Sequence, residues 1–167
     1  MSSLLVVGAG SFATEVEEIA NLCGYSETAF LDDNLDNTRC KPVLGCLNDL
    51  VRIGRQYDSV VIAFGNNEMR MKYFIRAEKA GFNLPALIHP TAYVSPEARI
   101  EAGCIVRTGA VISRYVHLGK AVIVNIGAMI DHDCCVGDGS HLLIGSVIRN
   151  KATVPPLSWV EANRVIE

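Results

Sequence analysis

A six-residue period of aliphatic residues runs through the second half of the chain and constrains its fold more than any other feature. Every sixth residue is Ile, Leu or Val, which gives fourteen positions in register: Ile88, Val94, Ile100, Val106, Ile112, Leu118, Val124, Ile130, Val136, Leu142, Ile148, Val154, Val160 and Ile166. This period is the signature of a parallel β-helix of triangular cross-section, whose interior the aliphatic side chains fill. We therefore predict that residues 85–167 form a β-helix of the left-handed, hexapeptide-repeat type.

Small residues and glycines follow the same period. Four places after each aliphatic position the residue is mostly small, as at Ala92, Ala110 and Cys134, which lets the chain pass a tight corner. Glycines such as Gly109 and Gly127 stand between them, where turns need backbone angles that glycine adopts readily. Proteins of this fold are commonly acyltransferases, but that is an analogy of fold until a site is found.

The first half of the chain has a different pattern, in which short apolar strands alternate with helical spacing. Such alternation predicts a small Rossmann-like α/β domain with a parallel sheet. We expect domains of 1–84 and 85–167, with His89-Pro90 just past the crossing. The predicted strands are Leu4–Val7, Thr28–Leu31 and Val60–Phe64, and the predicted helices are Val16–Cys23, Leu47–Ile53 and Glu68–Ala80.

A glycine-rich turn, Gly8-x-Gly10-x-x-Ala13, follows the first strand and opens the first helix. In that context backbone N–H groups and the helix dipole favour a phosphate, which makes Gly8, Gly10 and Ser11 candidate nucleotide-binding residues. Asp32 stands about twenty residues on, where such folds place a ribose-binding acid. NAD is the simplest interpretation, but a dinucleotide needs two mononucleotide halves and this segment offers one. A mononucleotide or nucleotide-sugar pocket is preferred, and a turn that only packs helix on strand is the alternative.

The candidate chemistry lies in residues 125–141. His132 stands between Asp131 and Asp133, and a histidine oriented by a carboxylate is suited to act as a general base near neutral pH. It follows the inward Ile130 by two places, so we expect it near the surface. His141 comes nine residues later, half of an eighteen-residue coil, so the two histidines do not stack within one chain. They are expected to approach each other between neighbouring subunits.

Two other interpretations of His132 are a solvated surface histidine and a zinc site. The separations between His89, His117, His132 and His141 are not multiples of eighteen, so no metal site is predicted. Four bulky residues fall outside the inward positions, and we expect them to need cover from a neighbouring β-helix: Ile105, Val111, Ile123 and Leu143.

Composition excludes several classes of function. Net charge is −3 and no basic stripe occurs, which argues against nucleic acid as a partner. No apolar run reaches the length of about 18 residues that a membrane span needs. The six cysteines form no CxxC pair, which favours free thiols in a reducing cytoplasm.

Three stretches give the whole chain a resemblance to a known family. They are Val7-Gly8-Ala9-Gly10 with Phe30-Leu31-Asp32-Asp33; Leu87-Ile88-His89-Pro90-Thr91-Ala92; and Asn125-Ile-Gly127 through Asp131-His132-Asp133-Cys134 to His141. In that order they resemble the sialic acid O-acetyltransferase family, which includes the UDP-4-amino-sugar N-acetyltransferases of bacterial glycan synthesis.

The resemblance implies a homotrimer that binds acetyl-CoA between neighbouring β-helices. It implies His132 as general base, oriented by Asp133 with Asp131 also available, and it places His141 near the acetyl group. Expected cofactor-binding residues are Asn125, Gly127, His141 and Gly145, with turn N–H groups at Gly127 or Gly145 as oxyanion donors. Expected nucleotide-binding residues are Gly8, Gly10, Ser11, Asp32, Asp33, Gly65 and Asn66.

One departure concerns the region after His141. Family members usually continue for further coils there, whereas this chain passes through Ile148 directly to Val154-Pro155-Pro156. We predict an acetyl-CoA-dependent acetyltransferase that acts on an amino or hydroxyl group of a sugar or nucleotide sugar. The alternative is a non-catalytic relative that keeps the sugar-nucleotide pocket and has lost acetyl transfer.

Overall fold

A computed structural model describes residues 2–36, 40 and 42–167. Contacts between Cα atoms divide the chain into two compact units, residues 1–85 and 86–167, where the sequence pattern predicts a boundary one residue earlier. The first unit is the small α/β domain and the second is a left-handed parallel β-helix, so the predicted fold class is confirmed.

The first unit is built on a four-stranded parallel sheet. Its elements are β1 (Ser2–Val7), α1 (Ser11–Leu22), β2 (Tyr25–Leu31), β3 (Val43–Gly45), a 3₁₀ turn (Leu47–Asp49), α2 (Leu50–Gly54), β4 (Ser59–Ile62) and α3 (Asn67–Lys79). The short strand β3 was not predicted, because three residues are too few to carry a strand pattern. None of the helices in the described parts of the chain is long and apolar enough to cross a membrane.

Strand order in this sheet is β3-β2-β1-β4. Leu4 to Val7 on the central strand β1 are fully buried, since the sheet is covered on both sides as parallel sheets require. The chain moves from β1 to β2 on one side and returns to β4 on the other. The loops after β1 and β4 therefore diverge at the switch point, where α/β sheets bind ligands.

The second unit consists of two-residue strands joined by four-residue turns. The strands are β5 (Leu87–Ile88), β6 (Tyr93–Val94), β7 (Arg99–Ile100), β8 (Ile105–Val106), β9 (Val111–Ile112), β10 (His117–Leu118), β11 (Ile123–Val124), β12 (Met129–Ile130), β13 (Cys135–Val136), β14 (His141–Leu142), β15 (Val147–Ile148), β16 (Thr153–Val154), β17 (Trp159–Val160) and β18 (Val165–Ile166). They stack into three parallel sheets: the first face (β5, β8, β11, β14, β17), the second face (β6, β9, β12, β15, β18) and the third face (β7, β10, β13, β16).

The second residue of each strand points into the interior, as the six-residue period predicts. Val106, Ile112, Leu118 and Val124 are fully buried in one continuous apolar cluster, and small residues such as Cys134 fill the corners of the same cluster. The core therefore runs along the axis of the β-helix and leaves the first residue of each strand to define the three outer faces.

The three outer faces differ in chemistry. The outward residues of the second face are apolar and exposed or half-buried: Tyr93, Val111, Met129, Val147 and Val165. Those of the third face are mainly polar: Arg99, His117, Cys135 and Thr153. On the first face Ile105 and Ile123 are fully buried within the chain itself, so the expectation that they need cover from a second β-helix is wrong.

Candidate active site

His132 lies in the turn between β12 and β13, at the corner where the second and third faces meet. Its Nδ1 donates a hydrogen bond to Oδ2 of Asp133 over 2.7 Å. The side chains are 47% and 46% exposed, so the ring is held in place and remains open to solvent. Because a carboxylate only accepts, the neutral ring has its proton on Nδ1 and its lone pair on Nε2, which is the arrangement a general base needs.

The backbone of this corner explains why Asp133 can reach the ring. Asp133 has φ of +62°, and its N–H donates to the carbonyl of Arg114 in the preceding coil. The same corner uses positive φ at Tyr115 and Lys151, so the conformation belongs to the coil rather than to the site. Asp and Asn tolerate this region better than most residues. Asp131 has a different partner, because its Oδ1 accepts the backbone N–H of His132.

His141 lies on β14 in the first face and is 5% exposed. Its Nε2 is 3.2 Å from Nδ2 of Asn125, which stands in the turn after β11 and is also buried. Oδ1 of the same amide accepts two hydrogen bonds, from Nη1 of Arg107 at 2.5 Å and from the backbone N–H of Ile126 at 2.8 Å. Asn125 and His141, which were both expected to contact the cofactor, are thus brought together. His132 lies at a different corner of the β-helix.

Arg107 was missed by the sequence analysis. It precedes Asn125 by eighteen residues, which is one complete coil and places the two side chains at the same corner. Only the histidines were compared at a spacing of eighteen residues. The same comparison for all polar side chains would have identified this pair.

An aromatic side chain adjoins His141 and also lines a cavity at the last coil. The ring of Trp159, one coil further on, meets the His141 ring edge-on with 4.9 Å between centroids and 71° between planes. Trp159 also lines a cavity of about 390 Å³ beside the last coil, together with Pro155, Ser158 and Arg164. Trp159 therefore contacts both the buried histidine and the cavity, and His141 itself does not line the cavity.

The backbone N–H groups of the turn glycines in this region donate to the preceding coil. The N–H of Gly127 donates to the Thr108 carbonyl, and that of Gly145 donates to the Ile126 carbonyl, both at 3.0 Å. These bonds join one coil to the next, so the N–H groups of the two glycines themselves are engaged, and the oxyanion donor expected from their turns stays a prediction for the other N–H groups there. Both glycines have positive φ, which explains their presence.

In the α/β unit the glycine turn lies between β1 and α1. Gly8 has φ of +103°, and a Cβ there would meet the Phe64 ring at 3.1 Å and the Ala63 carbonyl at 3.2 Å, so only glycine fits. Gly10 has φ of −73°, and a Cβ added there would meet no atom within 4 Å. It caps α1 without a side-chain hydrogen bond, and the neighbouring Ser11 is exposed. The open space therefore lies over the N-terminus of the helix.

Asp32 and Asp33 follow β2 beside this turn, and both carboxylates have partners. Asp32 accepts the N–H of Ala9 on Oδ2 at 2.7 Å and the N–H of Asn34 on Oδ1 at 2.9 Å. The first of these bonds ties β2 to the glycine turn, so Asp32 holds the shape of the turn. Asp33 is exposed, and its Oδ1 accepts the N–H of Leu47 at 3.0 Å.

Gly65 and Asn66 lie in the loop after β4. A Cβ at Gly65 would meet nothing within 4 Å, and Asn66 caps α3 by accepting the N–H of Met69. Arg70, which is fully buried, donates to the carbonyls of Phe64 and Gly65 at 2.9 and 3.0 Å. No sequence pattern indicated the role of this arginine, which is to hold the loop after β4 in place through these two hydrogen bonds.

The cysteines are all free thiols. Cys134 is fully buried, its Sγ donates to the Arg149 carbonyl at 3.0 Å, and burial raises the pKa of its thiol. A buried thiol held in this form is a poor nucleophile. Within residues 2–36, 40 and 42–167, no group of three His, Cys, Asp or Glu side chains is arranged to hold a metal ion.

Known proteins resemble this chain in both of its units. Residues 3–77 match the PglD N-terminal domain family. GDP-perosamine N-acetyltransferase of Escherichia coli O157:H7 is 23% identical over 172 residues, which span 97% of this chain and 76% of that enzyme.

Solved structures extend the likeness over the whole chain. PerB from Caulobacter crescentus, in complex with CoA and GDP-perosamine, is 27% identical with a TM-score of 0.87, covering 100% of this chain and 89% of that one. The acetyltransferase domain of PglB from Neisseria gonorrhoeae FA1090, in complex with acetyl coenzyme A, is 34% identical with a TM-score of 0.87, covering 99% of this chain and 90% of that one.

Proposed function

Because the chain belongs to the family of sialic acid O-acetyltransferases and UDP-4-amino-sugar N-acetyltransferases, the NeuD/PglD-like hexapeptide-repeat enzymes, we propose that it transfers the acetyl group of acetyl-CoA to the amino group of a nucleotide-linked sugar. An amino acceptor is favoured over a hydroxyl for two reasons. The Escherichia coli relative is an N-acetyltransferase, and PerB was solved in complex with GDP-perosamine. The enzyme is an acetyl-CoA-dependent acyltransferase. The observation that carries its mechanism is the 2.7 Å hydrogen bond between His132 and Asp133.

In this mechanism Nε2 of His132 accepts a proton from the sugar amine as the nitrogen attacks the thioester carbonyl. The new C–N bond forms, the C–S bond breaks, and the proton passes from His132 to the departing CoA sulfur. Asp133 keeps the proton of the neutral ring on Nδ1 and stabilises the imidazolium that forms in the transition state. No acyl-enzyme is required, since the amine attacks the thioester directly.

The nucleotide is assigned to the α/β unit. Its diphosphate is expected over the open N-terminus of α1 at Gly10 and Ser11, where the first N–H groups of the helix and the helix dipole favour an anion. Asp33 is exposed and stands at the end of β2, where it can accept hydrogen bonds from the ribose or base. Asp32 supports the turn through Ala9.

The site is expected to be completed by a second copy of the chain. The apolar column of the second face, with Met129 44% exposed, is what a homotrimer would bury, and burial of such a column is favourable. His132 directly follows this column in the chain, at the edge of the same face. A neighbouring copy on the second face would therefore lie beside the proposed base. Free thiols and an acetyl-CoA substrate both fit a cytoplasmic location.

The experiment is release of CoA thiol with a panel of GDP- and UDP-linked amino sugars and sialic acids. His132→Ala should lower turnover by about 10²–10⁴-fold, the usual contribution of a general base, and should leave acetyl-CoA affinity nearly unchanged. His117→Ala is the matched control, since His117 is 46% exposed and also contacts a carboxylate, Glu101, but lies on the third face. It should retain wild-type turnover.

Two results would count against the proposal. Wild-type turnover of His132→Ala, on a substrate that the parent acetylates, would refute the mechanism. A parent that acetylates nothing in the panel, and whose thermal stability responds to nucleotide sugars but not to acetyl-CoA, would favour the non-catalytic binding protein.

A further inference from the structure

A chain of hydrogen bonds links Arg107, Asn125 and His141, and it determines which ring atom of the histidine carries the proton. Arg107 and the backbone N–H of Ile126 both donate to one atom of the Asn125 amide. Neither of these groups can accept, so that atom is the oxygen. The other end of the amide, which faces His141, is therefore NH₂.

The NH₂ group of Asn125 can only donate, and it is 3.2 Å from Nε2 of His141. Nε2 must then present its lone pair, and the proton of the neutral ring must lie on Nδ1. Rotating the amide by 180° would direct its NH₂ at the guanidinium and at a backbone N–H, which replaces two hydrogen bonds with two donor–donor contacts. The arginine thus excludes the alternative orientation.

The same arrangement disfavours the imidazolium form of His141. A proton on Nε2 would point at the amide NH₂, and only the Asn125 amide would separate the resulting cation from the Arg107 guanidinium. Both interactions are repulsive, and the histidine and the asparagine are nearly buried, at 5% and 6% exposure, where such repulsion is weakly screened.

We propose that Arg107 is a positioning residue, which acts through Asn125 to hold His141 as a neutral ring that donates from Nδ1. This deepens the proposed function and rests on it for its catalytic meaning. It gives the two histidines opposite tasks. His132 presents a lone pair beside a carboxylate and accepts a proton. His141 accepts from Asn125 at Nε2 and can only donate at Nδ1, and a donor is what an acyl carbonyl oxygen requires as it gains negative charge.

The test is ¹⁵N NMR of protein labelled at histidine, without substrates, with the His141 signals assigned from a His141→Gln variant. Long-range ¹H–¹⁵N correlations distinguish a protonated ring nitrogen from one with a lone pair. In the wild type, Nδ1 of His141 should be protonated and Nε2 should not. A wild-type ring protonated at Nε2 would overturn the proposal without any variant being made.

Two substitutions test the relay itself. Asn125→Asp keeps the shape but replaces NH₂ by an oxygen that only accepts, so the proton of His141 should appear on Nε2. Arg107→Leu should produce a mixture of the two tautomers, and Arg107→Lys should restore the wild-type spectrum in part. Arg99→Leu, on the third face, is the matched control and should change nothing. A His141 spectrum in Arg107→Leu identical to wild type would overturn the proposal.

Kinetics separate this inference from the proposed function. With an acetylated substrate, Arg107→Leu should lower kcat by about tenfold to a hundredfold, the usual loss when a residue that orients a functional group is removed, with KM for the nucleotide sugar little changed. An unchanged kcat would overturn the catalytic role of the relay. A wild type with the expected tautomer and no acetyl transfer would refute the proposed function and leave the tautomer assignment standing.

Discussion

Two serines that occupy equivalent positions of the repeat are expected to affect stability in opposite directions. Ser140 and Ser146 are six residues apart, both fill the small-residue corner and both are fully buried. Oγ of Ser140 donates to the Pro155 carbonyl at 2.9 Å and accepts the N–H of Ser158 at 3.2 Å. Oγ of Ser146 is a buried side-chain atom with no hydrogen-bond partner in the described part of the chain.

The two Ser→Ala substitutions therefore have different energetics. A buried hydroxyl with no partner costs about 1–3 kcal/mol in lost hydration, so Ser146→Ala should raise the free energy of unfolding by about that amount. Ser140→Ala removes two hydrogen bonds worth about 0.5–1.5 kcal/mol each, and should lower it by about 1–3 kcal/mol. For a chain of this size each kcal/mol moves Tm by about 2–4 °C.

Thermal unfolding followed by circular dichroism, at one protein concentration for all three proteins, measures the difference. The sign of the change is the result to examine, because both substitutions remove the same single atom from the same position of a repeat. A Ser146→Ala variant destabilised as much as Ser140→Ala would refute the reasoning, since it would mean that the Ser146 hydroxyl is satisfied in solution.

Three further predictions concern the nucleotide turn, the assembly and the cysteines. The new side chain of Gly10→Val would meet no atom and cause no backbone strain, so Tm should stay unchanged. Affinity for GDP or UDP, measured by calorimetry, should fall at least about tenfold, as the loss of a charge-assisted hydrogen bond of about 1.5–3 kcal/mol implies. Equal affinity would show that the turn has only a structural role. Met129→Asp puts a charge in the apolar column of the second face and should convert a trimer into monomers by light scattering, whereas a monomeric wild type at micromolar concentration would exclude the trimer. Because burial raises the pKa of the Cys134 thiol, iodoacetamide at neutral pH should alkylate the exposed Cys135 first in the native protein, and mass spectrometry showing Cys134 modified first would reopen a covalent intermediate.

The interior of the β-helix was predictable because its period is local. Each inward residue, such as Leu118 or Val124, repeats every six places whatever lies outside the helix, so the sequence alone identifies it. The outer faces were less predictable. Burial of an outward residue depends on what packs against that face, and the six-residue pattern carries no information on this. Ile105 and Ile123 were therefore expected to need cover from a neighbouring β-helix, and they are buried within the chain.

In the candidate site, too, contacts between residues adjacent in sequence were predictable and contacts between distant residues were not. The motif around His132 was visible because the base and its carboxylate are adjacent in sequence. The partners of His141 lie sixteen residues away at Asn125 and, through it, a further eighteen at Arg107, and only the coil brings them together. Asp32 was expected to bind the nucleotide from its spacing and from the family resemblance, and its carboxylate also accepts a backbone N–H that no motif encodes.

The parallel ladder of the β-helix has a consequence for how such chains can change in length. Residues eighteen apart pair directly, as His117 does with Cys135, and neighbouring strands are about 4.8 Å apart. An insertion of eighteen residues would lengthen the rod by one such step and leave every outward column on its own side. An insertion of six would turn everything that follows by a third of a revolution and carry His141 to a different side from its partner Asn125. The length of this β-helix can therefore change only by whole coils if every outward column is to stay on its own side.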